Sequence, residues 1–487
     1  MKRTLLTSYI KTLLFSIMTL ISQTGSTFSS INPKISDPHN QEPLSLMQIV
    51  SKVSSMKETL PTTITPSEIT ITNSSKITIP NTDVKPLYEW TVMLYIQAKN
   101  NLYQAAVENL HQIVKSFNTN NIGVYIQWYQ PHHEGIRRYS ITSQGINLEY
   151  SSDEYSPNHT ATELVSFVDW TVKKAPAKKY ICILWNHGLG IIDPEWGNPI
   201  RMVQNPLEMI QSQRVQINDL VDTLHFDSFS TSNRGILFDE SRRMYMNNQE
   251  LVKAFEEIQV KTLNGKRLDI IGMDACYMQM LEVADLMHPF AKYFIASEDV
   301  ELAQGWNYPE IIRFLTKNPT CKARQLAEYI ISTYDALYRG RTNLFTQSAL
   351  KLSRIPAVKN KIDILAQALL HCYETAPIET RSIVRQARNR CQQFSMQTYI
   401  DLKSFCEETH KLLKPHTELY NQLNLPIKNS IAAINDCVIS NTSSTYFGKA
   451  YGMSILFPFY RIDRSYLLTP FAQNSLWLDF LYKSLLQ

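Results

Sequence analysis

The sequence predicts an α/β protein: a mostly parallel central sheet flanked by helices, with a largely helical C-terminal region that returns a strand. Three observations carry this. Short, nearly continuous apolar runs recur in "WTVMLYIQA", "NIGVYIQWY", "KYICILWNHG" and "RLDIIGMDAC", as strands buried on both faces require. Segments of helical periodicity stand between them, and strands alternating with helices build parallel sheets covered on both sides. The 487 residues, 44% hydrophobic and 19% charged, supply enough apolar surface for one large domain with additions, or for two domains.

The elements follow in chain order. Lys2, Arg3 and Lys11 precede the apolar run Leu13 to Ile21, and small or polar residues occupy Ser22 to Ser30. That is the order of a secretory signal peptide, and the run is too short to span a bilayer. Residues 1–26 are therefore expected to be removed on export, with no stable membrane insertion afterwards. No cysteine lies near the cleavage point, which argues against a lipoprotein anchor. Residues 27–87, rich in Ser, Thr and Pro, read as a linker or pro-segment. A competing reading is a small strand module, since Ile and Thr alternate in "EITIT" and "KITI".

From Trp90 the strands begin, with a helix over Leu102 to Phe117 after the first. "RRYSI" adds a strand, Thr160 to Val172 a helix, and residues 190–234 a polar stretch without a confident strand. "NNQELVKAFEEI" is helical, a helix is expected from about Met278, and "AKYFIASE" is a strand. Two domains result, 88–345 and a helical subdomain 346–487 packed on it. Within the latter, "YGMSILFPFY" reads as a strand able to rejoin the main sheet.

The net charge of +4 is small, and no dense Lys/Arg stripe appears, so nucleic acid is not an expected partner. Seven cysteines are scattered without a CxxC pair, which argues against a zinc site or a dense disulfide framework. The odd count leaves at least one thiol unpaired, while some of the four between Cys372 and Cys437 remain candidates for pairing.

Two strands end in reactive residues. "ICILWNHG" delivers His187, and "LDIIGMDAC" delivers Cys276. In open parallel sheets, sites form at the carboxyl ends of strands. A thiol needs a basic neighbour there, because the thiolate is the nucleophile. The start of the expected helix after Cys276 would favour the anion further. Taken singly, such a histidine is commonly structural and such a cysteine a buried small hydrophobe. Together, on neighbouring strands, they form a candidate dyad.

"LWNHGLG" resembles the histidine motif of clostripain-type cysteine peptidases, and "DIIGMDACYMQMLEVA" resembles their cysteine motif. "SEDVELAQGWNY", "WTVMLYIQAKNNL", "RGILFDE" and "YGMSILFPF" resemble further family segments in the same order, so the likeness covers about residues 88–487. The resemblance implies a caspase-like fold, with 88–345 as the catalytic domain. It implies His187 as general base and then acid, Cys276 as nucleophile of an acyl-enzyme, and backbone N–H groups of Gly188 and Cys276 as oxyanion donors. No third catalytic residue is required.

Asp274 precedes Cys276 by two positions and shares its face if the strand stays extended. A carboxylate there suits a specificity pocket for Arg, or less often Lys, as the family's preference implies; the alternative is that it only accepts strand-end N–H bonds. Glu298, Asp299 and Glu301 are open choices for a second acidic group, and Trp306 reads as packing. The resemblance further implies a monomeric exported zymogen, self-cleaved after Arg201, with Arg214 and Arg234 as alternatives. No cofactor is required for the chemistry, and no metal ligand set is readable, although some relatives depend on calcium. Lys99 departs from the family, which usually has an acidic residue before the paired asparagines. Two other functions fit the same scaffold: a catalytically silent binding protein, and a ligase whose acyl-enzyme is intercepted by an amine.

Overall fold

The computed structural model describes residues 88–485 apart from 132, 134, 154–159, 193–234, 243 and 415. The expected signal peptide, the 27–87 segment and Arg201, Arg214 and Arg234 lie outside the described residues.

Thirteen strands are described: β1 (Tyr88–Gln97), β2 (Ile122–Tyr129), β3 (Ile136–Thr142), β4 (Gly145–Ser152), β5 (Ala177–Trp185), β6 (Ile236–Asp239), β7 (Met244–Met246), β8 (Leu268–Asp274), β9 (Ala291–Ala296), β10 (Thr346–Lys351), β11 (Tyr399–Asp401), β12 (Val438–Ser443) and β13 (Ser454–Leu456). Nine of them form one sheet in the order β12-β10-β9-β8-β5-β1-β2-β3-β4. The central strands β9, β8, β5, β1 and β2 run parallel. The flanking pairs β3–β4 and β10–β12 are antiparallel. The sheet is thus parallel where the reactive strands end.

Alternation along each central strand buries both faces. Met93 and Tyr95 of β1 join one core with Cys182 and Leu184 of β5. Val92, Leu94 and Ile96 join the other with Ile181, Ile183 and Trp185. The first core is covered by α2 (Thr160–Lys174), α3 (Asn248–Glu257) and α4 (Leu281–Met287), the second by α1 (Tyr103–Ser116), α5 (Tyr308–Lys317) and α6 (Ala323–Tyr338). The α3 helix starts at a reciprocal cap between Asn247 and Glu250, which satisfies backbone donors that would otherwise stay unpaired. The later helices α7 (Ile355–Thr375), α8 (Pro377–Arg390), α9 (Leu402–Leu413) and α10 (Thr417–Cys437) extend the first core. Strands β10 and β12, both after residue 345, complete the main sheet. No described helix is long and apolar enough to cross a membrane.

Gly272 of β8 marks a close approach. A Cβ there would lie 2.5 Å from the Trp306 ring, and Trp306 is buried as a packing residue. Gly272→Ala should therefore overpack this layer and cost about 1–3 kcal/mol. Equilibrium denaturation checks it, and an unchanged midpoint would mean that the indole yields.

Two expectations are corrected. The helix expected from about Met278 begins at Leu281. Tyr277 has a left-handed φ of 60°, and Tyr277 and Gln279 donate backbone bonds to Asp299 and Ser297 at 3.0 and 2.9 Å. The segment pairs with the loop after β9, so its N–H groups are directed outwards before a helix can form. The late run "YGMSILFPFY" does not rejoin the main sheet. Its β13 pairs with β11 in a separate two-stranded sheet, while β12 occupies the sheet edge beside β10. Bonds from Ser454 N to Gln279 O (3.0 Å) and from Leu456 N to Glu282 (2.9 Å) draw β13 under the Cys276 turn instead.

Candidate active site

Strands β5 and β8 are parallel neighbours, with Trp185 in register with Asp274. The Asn186 N–H bonds the Asp274 carbonyl at 3.2 Å. His187 and Cys276 each stand two residues beyond that pair, just past the carboxyl ends of the two strands. Asn186 is buried and fastens this end: its amide donates to Phe238 O at 3.0 Å and also to Gln97 O. The His187 ring is partly exposed, with Nε2 2.8 Å from Asn101 Oδ1 and the Phe238 ring edge-on to it.

Gly188 bridges β6 at Ile236. The bonds of that bridge are made by its neighbours, Leu237 N to His187 O at 3.4 Å and Leu189 N to Gly235 O at 3.1 Å. In such an antiparallel pair the central residue turns its own N–H away from the partner strand. Among the described residues nothing accepts from the Gly188 N–H. A Cβ on Gly188 would lie 2.7 Å from the Cys276 carbonyl oxygen, so the absence of a side chain is what lets the two rims close.

Cys276 is 9% exposed. Its sulfur receives the Glu301 N–H at 3.2 Å. No helix start supports it, since α4 begins at Leu281; the donor to sulfur comes from the loop after β9. All seven cysteines are buried as thiols. Burial pushes the thiols of Cys182, Cys391 and Cys437 up to about 12 and that of Cys372 to about 11, and raises Cys321 and Cys406 as well. Those six stay protonated and inert near neutral pH.

Asp274 is 3% exposed. Its Oδ2 accepts from Trp306 N at 3.1 Å and from the Tyr308 hydroxyl at 2.7 Å. Burial nonetheless pushes its carboxyl up to about 7, against the lowering effect of those bonds. The extended path expected to give Asp274 and Cys276 a common face ends at Ala275, where the chain bends. Glu301 connects the two instead. Its N–H touches the sulfur, and its carboxyl is raised first by burial and then by the charge of Asp274. Oε2 accepts from Gln347 at 3.3 Å, and the buried Tyr334 hydroxyl lies against the same carboxyl.

The three open acidic candidates therefore separate. Glu298 accepts from Gly452 N at 2.9 Å and faces Asp401. Asp299 accepts from Ser395 N and Oγ, both at 3.2 Å. Only Glu301 of these three is set against Asp274. Lys99 is buried at the end of β1, its carbonyl held by Glu240 N at 3.1 Å. Among the described residues no group of three or more His, Cys, Asp or Glu could hold a metal ion. Calcium stays an expectation of the resemblance.

Sequence reasoning passed over Asn101, Gln347 and Tyr308. The first was readable in principle, since residues just past the end of β1 must sit beside those just past β5. The other two come from distant segments that only the folded chain brings to Glu301 and Asp274.

A caspase-like α/β sheet with a cysteine and a histidine on one rim is the frame of a cysteine peptidase. The chain belongs to the clostripain family, whose model matches residues 218–481, more than half its length. That match includes Cys276, Asp274 and Glu301 but begins after His187. Solved structures extend the likeness of fold forward. An inactive zymogen C11 protease from Parabacteroides distasonis shares 18% identity at a TM-score of 0.51, covering 84% of this chain and 100% of its own. A secreted C11 cysteine protease from Bacteroides thetaiotaomicron, in complex with an irreversible peptide inhibitor, shares 17% at 0.51, covering 81% and 98%. A further structure of a secreted C11 cysteine protease from that organism, iotapain, shares 15% at 0.53, covering 80% and 100%. No curated protein matches the chain.

Proposed function

We propose that this cysteine peptidase is an exported endopeptidase that uses a His187–Cys276 dyad to cleave after basic residues, Arg in preference to Lys. The observation that supports the dyad is the register of β5 and β8, which pairs Trp185 with Asp274, each two positions before one of the two residues. The Cys276 sulfur, its proton passed to His187, attacks the scissile carbonyl carbon. The Gly188 and Cys276 N–H groups receive the oxyanion, where developing charge gains most from preset donors. His187 returns the proton to the leaving amine, and an acyl-enzyme remains. Water, deprotonated by His187, then releases the acid and restores the thiol.

Preference for a basic residue rests on the two carboxyls beside the thiol. Both are buried, and among the described residues their donors are neutral, Trp306 N and Tyr308 on Asp274, Gln347 and Tyr334 on Glu301, with no cation. A guanidinium brings several N–H groups in a planar fork, whereas an ammonium is a single point charge. Export rests on the N-terminal segment. Self-cleavage at Arg201 rests on the resemblance and on the position of that arginine in the 190–234 stretch.

Incubating the purified full chain with Arg-, Lys- and norleucine-ended reporter peptides, with intact-mass measurement alongside, tests the reading. The expected result is turnover in the order Arg, Lys, norleucine, together with a cut after residue 201. Absence of turnover on every basic reporter, even after deliberate nicking of that stretch, would overturn it.

A further inference from the structure

We propose that Asn101 is the positioning residue for His187, holding the imidazole as the tautomer whose basic nitrogen is Nδ1. The inference rests on the dyad proposed above and adds the group that orients its base. The contact is Asn101 Oδ1 to His187 Nε2 at 2.8 Å. An amide oxygen only accepts, so Nε2 carries the hydrogen and the lone pair falls on Nδ1. Nδ1 is then the nitrogen that takes the Cys276 proton.

The backbone explains why Asn101 stands there. β1 is the parallel neighbour of β5, with Ile96 opposite Trp185, so both chains leave the sheet on the same rim. Past Gln97 the chain is pinned on each side of Asn101. Asn100 Oδ1 accepts from Leu102 N at 3.0 Å, and Asn100 O from Tyr103 N at 3.3 Å, which turns the chain into α1. The Asn100 amide donates to Phe238 O at 3.0 Å. Glu240 N donates to Lys99 O at 3.1 Å, and the Glu240 carboxylate accepts the Asn101 N–H. The β6–β7 hairpin thus holds the backbone of Asn101, sets the Phe238 ring on His187 and bridges Gly188. One small hairpin aligns the base, its orienting amide and a proposed oxyanion donor.

The choice of an amide has a chemical consequence. A carboxylate at this place would also fix the ring, but it would stabilise the imidazolium and raise the pKa of the base. The neutral acceptor orients without adding charge. Two acidic groups stand on the hairpin, Asp239 and Glu240, and burial raises the Glu240 carboxyl.

The test uses the full chain and two variants, Asn101→Ala and Asn101→Asp. Steady-state kinetics on an arginyl reporter are joined by NMR titration of selectively labelled histidine, with His187 assigned by the signal lost in His187→Gln. The expected result for Asn101→Ala is a kcat lower by about 10- to 100-fold with KM within about twofold, since orientation acts on the chemical step. Its His187 signal should lose the Nε2–H tautomer signature of the wild type. Asn101→Asp should keep more of kcat, while the His187 midpoint rises by about one pH unit or more. Two results would overturn the proposal: Asn101→Ala with unchanged kcat and tautomer, or Asn101→Asp with a superimposable titration. If the alanine variant does not fold, the nearly isosteric aspartate variant still decides. If the wild type cleaves no peptide at all, the reading as a basic-specific peptidase fails on its own, and the His187 titration still judges the role of Asn101.

Discussion

Cys276→Ala lowers kcat/KM on an arginyl reporter by at least about a thousandfold, while the fold and its denaturation midpoint stay close to wild type. The loss is large because no other group on the rim can form the acyl bond. A fall of that size corresponds to about 4 kcal/mol of transition-state stabilisation. The thiol is small and its site lies at a turn, so removing the one sulfur atom leaves little cavity. His187→Ala should cost a comparable factor, and the double variant should be little worse than either, because members of a catalytic unit are strongly non-additive. An arginyl chloromethyl ketone should label Cys276 alone, since the other six thiols are buried and raised. Unchanged turnover in Cys276→Ala, or labelling elsewhere, would remove the dyad from consideration.

Asp274→Asn removes most of the preference for arginine, with kcat/KM on arginyl substrates falling by about 100-fold or more and the norleucine value moving far less. Truncating one partner of a buried charged pair costs about 2–5 kcal/mol, much of it from the charge left unpaired. The pH dependence gives the prediction a sign. Burial pushes the Asp274 carboxyl up to about 7, so the empty pocket is largely protonated at pH 6 and largely charged at pH 8. Arginyl turnover should therefore climb across that interval. Stability runs the other way. A carboxyl whose folded pKa is raised binds its proton more tightly in the native state. Its contribution is complete below the ordinary aspartate range and is lost as pH rises through about 7. Melting should accordingly fall from pH 6 to pH 8, with a shallower slope in Asp274→Asn. Equal arginine preference in the variant, or a flat arginyl profile in the wild type, would count decisively against the pocket.

The parts of this molecule that were legible in the sequence are those set by local pattern. Continuous apolar runs announced β1, β2, β5 and β8, and two of those runs ended in the residues of interest. Parallel pairing then followed from alternation with helices. What stayed hidden depends on segments far apart in the chain. The start of α4 slipped to Leu281 because Tyr277 and Gln279 bond a loop beyond β9, which no helical periodicity reveals. Glu301 could not be told from Glu298 and Asp299 until Gly452, Asp401 and Ser395 were seen to claim the other two. The pairing of β13 was misjudged for a similar reason: an apolar run shows that a strand wants burial, not which edge is vacant.

The bridge between Met280 and Ser454 carries a consequence for biogenesis. Ser454 supplies both its N–H and its hydroxyl to Gln279 O, across 175 positions of chain. The turn that presents the nucleophile is therefore propped from beneath by a segment that leaves the ribosome 175 positions after it. A nascent or truncated chain can hold the motif that names its family and still lack a seated thiol. Such an arrangement postpones competence until the segment around Ser454 has been made, a safeguard inherent in the wiring of the chain itself.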